Sequence, residues 1–477
     1  MADFFTLLKN YNSNRIRRWN NIAGKGKSFF WLGGYYHKKL ISLYKFLIPK
    51  DLKILEIGCS DATLLASLSP KYGVGVDFSS KMIMEAKQKF PHLTFIEADA
   101  HQFNISETFD IIILSDLIND AFDVQTILKN IKKNCHPGTR IIINFYNNIW
   151  EILFKLGSKI GFSKNILQQN WLTFKDVENL LKLEDFEVVN KRREILFPIY
   201  IPLLSHIINK YFAKIWPFKY LNLTNILTVR LITKDETSKP SVSVIIAARN
   251  EEGHIDELLK RIPDMGSFTE VIFVEGHSTD NTYSKIQESI KELPDNKYFL
   301  YKQTGKGKGD AVRLGFEKAN CDILMILDAD MTVVPEILPR FYDTITSRKG
   351  EFINGVRLVY PMEDKAMRFF NVIGNKFFSL AFSWILEQPI KDSLCGTKVI
   401  YKKDYEKIAA NRSFFGNFDP FGDFDLLFGA AKLNLKIIDL PVRYCERTYG
   451  TTNIQRWKHG LLLLRMVIFA ARKIKFI

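Results

Sequence analysis

At 477 residues, with 67 Lys and Arg against 52 Asp and Glu, the chain carries a formal net charge of +15. That length is too great for one ordinary core, and 47% hydrophobic with 25% charged residues excludes a disordered chain. No 18-residue uncharged apolar run occurs, which argues against a spanning helix, and five scattered cysteines without a CxxC pair argue against a zinc site or a disulfide framework and point to a reducing cytosol.

The charge is uneven. Residues 1–50 hold ten Lys and Arg and one Asp, and residues 456–477 hold six Lys and Arg and no acid, so the two ends carry the whole excess. The N-terminal segment MADFFTLLKNYNSNRIRRWNN is basic and amphipathic but lacks the apolar core and small-residue cleavage site of a secretory signal. Basic residues mixed with Phe, Trp, Leu and Ile suit an anionic membrane surface better than nucleic acid, for which no groove-reading motif is present.

Strands are expected at 53–57, 72–77, 93–99, 109–116 and 139–147, each followed by a helical pattern, so the first half reads as a parallel α/β sheet. The first strand carries Glu56 and turns through Gly58-Cys59-Ser60-Asp61-Ala62 into a helix. The next three end in Asp77, Asp99 and Asp116. Ligands of open α/β sheets bind outside the carboxyl ends of the strands, and an acid about 20 residues after the first turn suits ribose hydroxyls. The later run ILFPIYIPLLSHIINKYFAKIWPF (195–218), apolar but broken by Pro198 and Pro202, suits a helical cover between domains better than a membrane-facing patch.

The stretches LEIGCSDA, GVGVDFSSKMIMEAK and FIEADAHQF resemble the class I S-adenosylmethionine-dependent methyltransferases, over about residues 30–235. The resemblance implies a Rossmann-like fold with S-adenosylmethionine as cofactor. Asp77 would take the ribose hydroxyls and Asp99 the adenine amino group, while Glu56 and Gly58 shape the methionine end. Asp116 stands at the same edge, and with Tyr35-Tyr36-His37 it is the candidate for moving a proton. Ser60 and Ala62 replace two glycines usual in the loop, which argues against a pyrophosphate-binding dinucleotide site. The alternative is a methyltransferase-like scaffold that serves only for docking.

A polar run, TKDETSK (233–239), reads as a linker. Beyond it, SVSVIIAARNEE (241–252) is a strand ending in Arg249, Asn250 and Glu251, and EVIFVEGHSTDNT (270–282) is a strand ending in Glu275. KGKGDAVRLGFEKA (306–319) is a glycine-rich loop entering a helix, without the ending of a P-loop. ILMILDADMTVVPE (323–336) is a buried strand that delivers Asp328 and Asp330. A hard divalent cation, with a substrate diphosphate on its far side, would neutralise such a pair of carboxylates.

This ordered set, with DSLCGTKVIYKKDY, FGDFDLLFGAAKLNLKIIDLPVRY and CERTYGTTN further on, resembles the family 2 glycosyltransferases of GT-A fold, of the dolichol- or polyprenyl-phosphate mannose synthase type. The resemblance implies that Arg249, Asn250, Glu251 and Glu275 line a nucleoside pocket, with Lys308 also on the substrate. Asp328 and Asp330 would hold Mg2+ or Mn2+. Arg357 and Arg447 would meet phosphates, and Asp423 or Asp425 would stand beside the acceptor. The chain departs from the family at Gly276, Thr332 and Asn453. The phenylalanine-rich stretch 366–388 and the basic tail, with Lys458, Arg465 and Arg472 on one helical stripe, suit either core packing or a membrane surface.

The expectation is therefore two doubly wound α/β domains, at 1–235 and 240–477. Together they would form an inverting glycosyltransferase fused to a methyltransferase, cytoplasmic and peripheral to the inner face of the membrane. It would take a UDP- or GDP-linked sugar and a polyprenyl-phosphate or glycan acceptor in surface-glycan synthesis, with no nucleic acid as partner. The alternative is a soluble transferase acting on a sugar or protein hydroxyl.

Overall fold

The computed structural model describes residues 4–23, 33–159, 167–233, 239–294, 296–360, 369–414, 422–447, 449 and 456–477. Residues 234–238 of the expected linker (233–239), the start of the 366–388 stretch, the side chain of Lys458 and Asn453 lie outside the described residues. The chain divides into two units, Met1–Thr233 with Phe476–Ile477, and Lys234–Lys475.

In the first unit seven strands form one sheet: β1 (Lys53–Ile57), β2 (Tyr72–Asp77), β3 (Thr94–Glu97), β4 (Phe109–Ser115), β5 (Cys135–Tyr146), β6 (Phe186–Glu194) and β7 (Thr224–Leu231). Their order is β3-β2-β1-β4-β5-β7-β6. The strands from β3 to β5 pair in parallel, while β7 runs antiparallel to both β5 and β6. The central strands are apolar on both faces, Ile54, Leu55 and Ile57 in β1 and Ile111 to Leu114 in β4, as a sheet covered on both sides requires. The third strand stops at Glu97, short of Asp99: Ala98 makes the last rung, donating to Asp77 O, and the Asp99 carboxylate then accepts from the His101 backbone N in a local turn.

The basic N-terminal segment folds as a helix, Phe4–Ala23, laid over the carboxyl edge of this sheet. Its Asn12 donates to Asp99, its Arg15 pairs with Asp120 at 2.8 Å, and its Asn20 accepts from Ser79. Part of the expected membrane-directed charge is thus turned inward. In the run at 195–218, Leu203, Trp216 and Tyr200 are 81%, 73% and 65% exposed.

The second unit holds β8 (Val242–Ala248), β9 (Thr269–Glu275), β10 (Tyr298–Lys302), β11 (Ile323–Asp328), β12 (Phe352–Val356), β13 (Lys398–Tyr401) and β14 (Ile437–Pro441). Their order is β10-β9-β8-β11-β13-β12-β14, with only β13 antiparallel to its neighbours. Consecutive parallel strands leave all the carboxyl ends of β8, β9 and β11 on one edge, so Glu251, Glu275, Asp328 and Asp330 come to that edge by topology.

Candidate active sites

In the first unit the loop after β1 is held by the acid after β2. Asp77 accepts from the backbone N of Ser60 and of Ser79, both at 2.9 Å, and is buried. Burial raises its pKa, and those amide donors oppose the rise. Gly58, Ser60 and Ala62 all have left-handed backbone, with φ of 76°, 50° and 58°. The two residues that replace glycine therefore sit where glycine is cheapest, at a cost of about 1 kcal/mol each. At Gly58, whose φ of 76° already favours glycine, a Cβ would also crowd Leu117 Cδ1 at 3.0 Å. Glu56 is buried and accepts from Leu65 N, and burial lifts its carboxyl well above the usual range.

Asp99 lies beside the same loop. Burial would raise its pKa, but His101 and Asn12 donate to it and hold it below the ordinary value. Asp116 is half-buried with φ of 54°. It accepts from Tyr36 Oη at 3.0 Å and Asn144 Nδ2 at 2.6 Å, and Tyr44 and Thr224 extend the network. Burial pushes its pKa up to about 7, against the pull of those two donors. Tyr146, Phe154 and Trp171 form an aromatic wall that continues from Tyr36. Of Tyr35-Tyr36-His37, Tyr36 donates to Asp116. These groups fit an adenosyl cofactor: one buried acid with a carboxylate fixed by loop amides, a second acid at the next strand, and a loop whose backbone turns left-handed beside them. Sequence reasoning missed Asn144 and Asn12, which have no local signature.

In the second unit the acids are met by cations. Lys308, at the start of the helix Lys308–Lys318, donates to Asp328 Oδ1. Burial would lower the Lys308 pKa, but the carboxylates of Asp328, Asp423 and Asp330 overcome that and hold the ammonium above its ordinary range. Burial works against the Asp328 charge too, and Lys308, Arg357 and Lys398 keep its carboxyl below the usual value. Arg447 bridges the other flank, donating to Glu251 Oε1 and lying 3.8 Å from Asp330 Oδ2. Glu251 is also 3.0 Å from His254 Nδ1, and burial outweighs these partners to raise its pKa. Glu275 accepts from Ser278 N, and Asn250 accepts from Thr279 N, so both brace the turn after β9, while Arg249 stands exposed at the end of β8.

The two acids near the acceptor position separate. Asp423 lies 3.1 Å from Lys398 Nζ and within the field of Lys308. Asp425 instead meets Arg412 at 2.9 Å and Arg313 at 3.6 Å. Arg357 is clamped through Nε and Nη2 by buried Asp392, at 2.7 and 3.0 Å. Burial would raise the Asp392 pKa, but Arg357 holds it down at about 2. That pair uses Arg357 within the protein and only its field reaches Asp328. Asp392, Gly396 and Lys398 received no role from the sequence although DSLCGTK stood out as a motif. A Cβ at Gly396 would collide with Asp328 Oδ2 and Lys308 Nζ.

Among the described residues no group of three or more His, Cys, Asp and Glu side chains is arranged to hold a metal by itself. Two hard carboxylates do fit a Mg2+- or Mn2+-type ion whose remaining ligands are diphosphate oxygens and water. Asp330 keeps Oδ1 for Thr332 and turns Oδ2 toward the Arg447 side.

Residues 243–408 match the family described as Glycosyl transferase family 2, and residues 48–188 match the family described as Methyltransferase domain. The chain joins a methyltransferase domain to a family 2 glycosyl transferase domain. The glycosyl transferase domain is 35% identical over 106 residues to a dolichol-phosphate mannosyltransferase of Pyrococcus furiosus, an alignment covering 22% of this chain and 30% of that protein. It is 22% identical to an undecaprenyl-phosphate 4-deoxy-4-formamido-L-arabinose transferase of Edwardsiella ictaluri, covering 47% of this chain and 64% of the relative. The chain therefore spans less than two thirds of either relative. A solved glucosyl-3-phosphoglycerate synthase of Mycobacterium tuberculosis shares 17% identity at a TM-score of 0.36, over 49% of this chain and 80% of that one.

In the family 2 domain, the paired acids at the edge of β8 and β11 each face a cation of the same domain: Asp328 faces Lys308, and Glu251 with Asp330 faces Arg447. In the methyltransferase domain, the acids at or after the ends of β2 and β3 accept from backbone and side-chain donors, and Asp116 accepts from Tyr36 and Asn144.

Proposed function

We propose that the family 2 domain moves a sugar, with inversion, from a UDP- or GDP-linked donor to a polyprenyl-phosphate or glycan acceptor in surface-glycan synthesis. The methyltransferase domain uses S-adenosylmethionine. The observation that carries this reading is the alternation of charge at one sheet edge, Lys308–Asp328 beside Asp330–Arg447–Glu251. A bound divalent ion would be held by Asp328 and Asp330 and would supply charge to the leaving diphosphate. Arg447 and Lys308 would stabilise the negative charge that develops as the diphosphate leaves the anomeric carbon. The names of the relatives support a polyprenyl-phosphate acceptor.

Asp423 supports a second acceptor class. Removal of a proton from a sugar or protein hydroxyl needs a carboxylate, and Asp423, whose charge reaches Lys308 at the donor-site edge, is the candidate, whereas a lipid phosphate is already ionised. Asp77 and Asp99 hold the adenosine and Glu56 with Gly58 the methionine end. The basic C-terminal helix, Arg456–Ala470, exposes Leu461, Leu464 and Ile468 and suits a peripheral place on the inner face of the membrane.

The test is thermal stability with Mn2+ against UDP-sugars, GDP-sugars and S-adenosylmethionine, in the wild type and in Asp330→Ala. A ligand at about 100 times its dissociation constant adds about 2.7 kcal/mol. A Mn2+-dependent shift with one nucleotide class, absent in Asp330→Ala, is expected. Equal shifts in both proteins, or none with any nucleotide, overturn the donor site.

A further inference from the structure

The segment from Phe197 to Asn222 is built inside out. Three of its polar side chains are buried: Ser205, Asn209 and Asn222 are each at most 2% exposed. Each holds backbone, with Ser205 Oγ on Ile199 O and Ile201 O, Asn209 on Phe197, and Asn222 on Arg193 O and Ala213 O. Its large apolar side chains face outward, thirteen of them between 199 and 221, led by Leu203, Trp216 and Tyr200. Buried polar braces fix the backbone, so this outward display is a held conformation and not a loose loop. Exposed apolar surface on this scale marks an interaction site.

The neighbouring helix Trp150–Lys159 repeats the pattern. Trp150 and Phe154 turn inward, to Tyr146 and Trp171. Ile149, Ile152, Leu153 and Leu156, spaced three and four apart, form a second apolar stripe that is 47–68% exposed. Trp150 Nε1 donates to Leu221 O at 2.8 Å, so the stripe and the segment are continuous.

Charge identifies the occupant. From Ile195 to Thr233 there is no Asp or Glu. Lys210 and Lys219 lie with their ammonium groups over the rings of Tyr211 and Tyr220. Two adjoining acids are paired: Glu194 is buried against Lys214, and Glu151 meets Lys155 at 2.6 Å. Exposed Trp and Tyr, aliphatic tips and lysines without acids are the composition of a surface seated at the boundary of headgroups and acyl chains.

We propose that the methyltransferase domain docks on an anionic lipid bilayer through this face. Leu203, Trp216 and the stripe of Ile152 and Leu156 enter the acyl boundary, and Lys210 and Lys219 meet lipid phosphate. This goes beyond the membrane role given above to the C-terminal helix, and it is independent of the reaction either domain performs.

The experiment is co-sedimentation of the full chain with vesicles of phosphatidylcholine containing about 30% phosphatidylglycerol, at about 0.1 M salt. The wild type pellets, and Leu203→Ser/Trp216→Ser lowers its partition coefficient about tenfold or more. Ile152→Ser/Leu156→Ser lowers it in the same direction. All four side chains are exposed, so melting temperatures stay at the wild-type value. Amides of 199–221 gain protection from hydrogen exchange when vesicles are added. No pelleting of the wild type overturns the proposal. So does undiminished binding of Leu203→Ser/Trp216→Ser, including the case in which only Leu461→Ser/Ile468→Ser weakens it, which leaves the C-terminal helix as the sole anchor. A fall in mass by sedimentation velocity in Leu203→Ser/Trp216→Ser also overturns it, because the face would then be covered by a second copy of this chain.

Discussion

Replacing Asp116 by Asn makes stability depend on pH in a direction set by the structure. The ordinary pKa of 3.8 rises to about 7 in the fold, because burial disfavours the charged carboxylate more than Tyr36 and Asn144 support it. The folded state therefore keeps a proton that the unfolded state has released. Stability contributed by the protonated group is present at low pH and is lost as pH rises toward 7. Between pH 5 and pH 8 the wild type loses about 2.7 kcal/mol through this group if the full shift holds, and about 1.5–2.5 kcal/mol once solvent at the half-buried side chain is allowed for. Asn cannot ionise and retains an oxygen for Tyr36 and Asn144, so it loses none of this. Thermal unfolding of the full chain at both pH values reads the difference. The variant should gain about 3–10 °C on the wild type in going from pH 5 to pH 8. An offset that is the same at both pH values, or that shrinks at pH 8, would refute the reasoning.

The two acids at the helix Asp423–Lys432 should behave differently. Asp423→Asn lowers kcat about 100-fold or more with a hydroxyl acceptor and less than about tenfold with a polyprenyl phosphate, while Asp425→Asn, freed from Arg412, loses about 1–3 kcal/mol of stability and little kcat. Steady-state kinetics with both acceptor classes decide it, and equal losses of kcat in the two variants would count against the assignment. Gly396→Ala pushes a methyl into Asp328 and Lys308, so it should abolish the Mn2+-dependent nucleotide shift at a cost of about 1–3 kcal/mol in the unliganded melt. A retained nucleotide shift would show that the Lys308–Asp328 contact is not part of the donor site.

How much of this was legible can be argued from particular residues. Strands β1, β2, β4, β8, β9 and β11 each hold a short apolar run with an acid close to the carboxyl end, a pattern that periodicity and chain order alone reveal. Asp77, Asp99, Glu251, Asp328 and Asp330 were found in this way, since a parallel sheet puts every strand end on one edge whatever the helices do. The β6–β7 pair was missed because buried polar residues, Asn190, Arg192 and Glu194 in β6 and Asn225, Thr228 and Arg230 in β7, interrupt the apolar pattern.

Which charge meets which was decided by tertiary structure. The sequence by itself determined two α/β domains, the acids at their sheet edges, and the glycine-rich entry to the helix at Lys308. Only the fold placed Asp423 beside Lys398 while turning Asp425, two residues on, to Arg412. It also locked Arg357 to Asp392, 35 residues away, and brought Asn12 and Asn144 to Asp99 and Asp116. Only the fold, too, showed that Ser205, Asn209 and Asn222 are inside while large apolar residues of 199–221 are outside. Local pattern records which groups can bury, through their transfer free energies. A contact between side chains distant in sequence depends on how the helices pack, and no short window of residues carries that information.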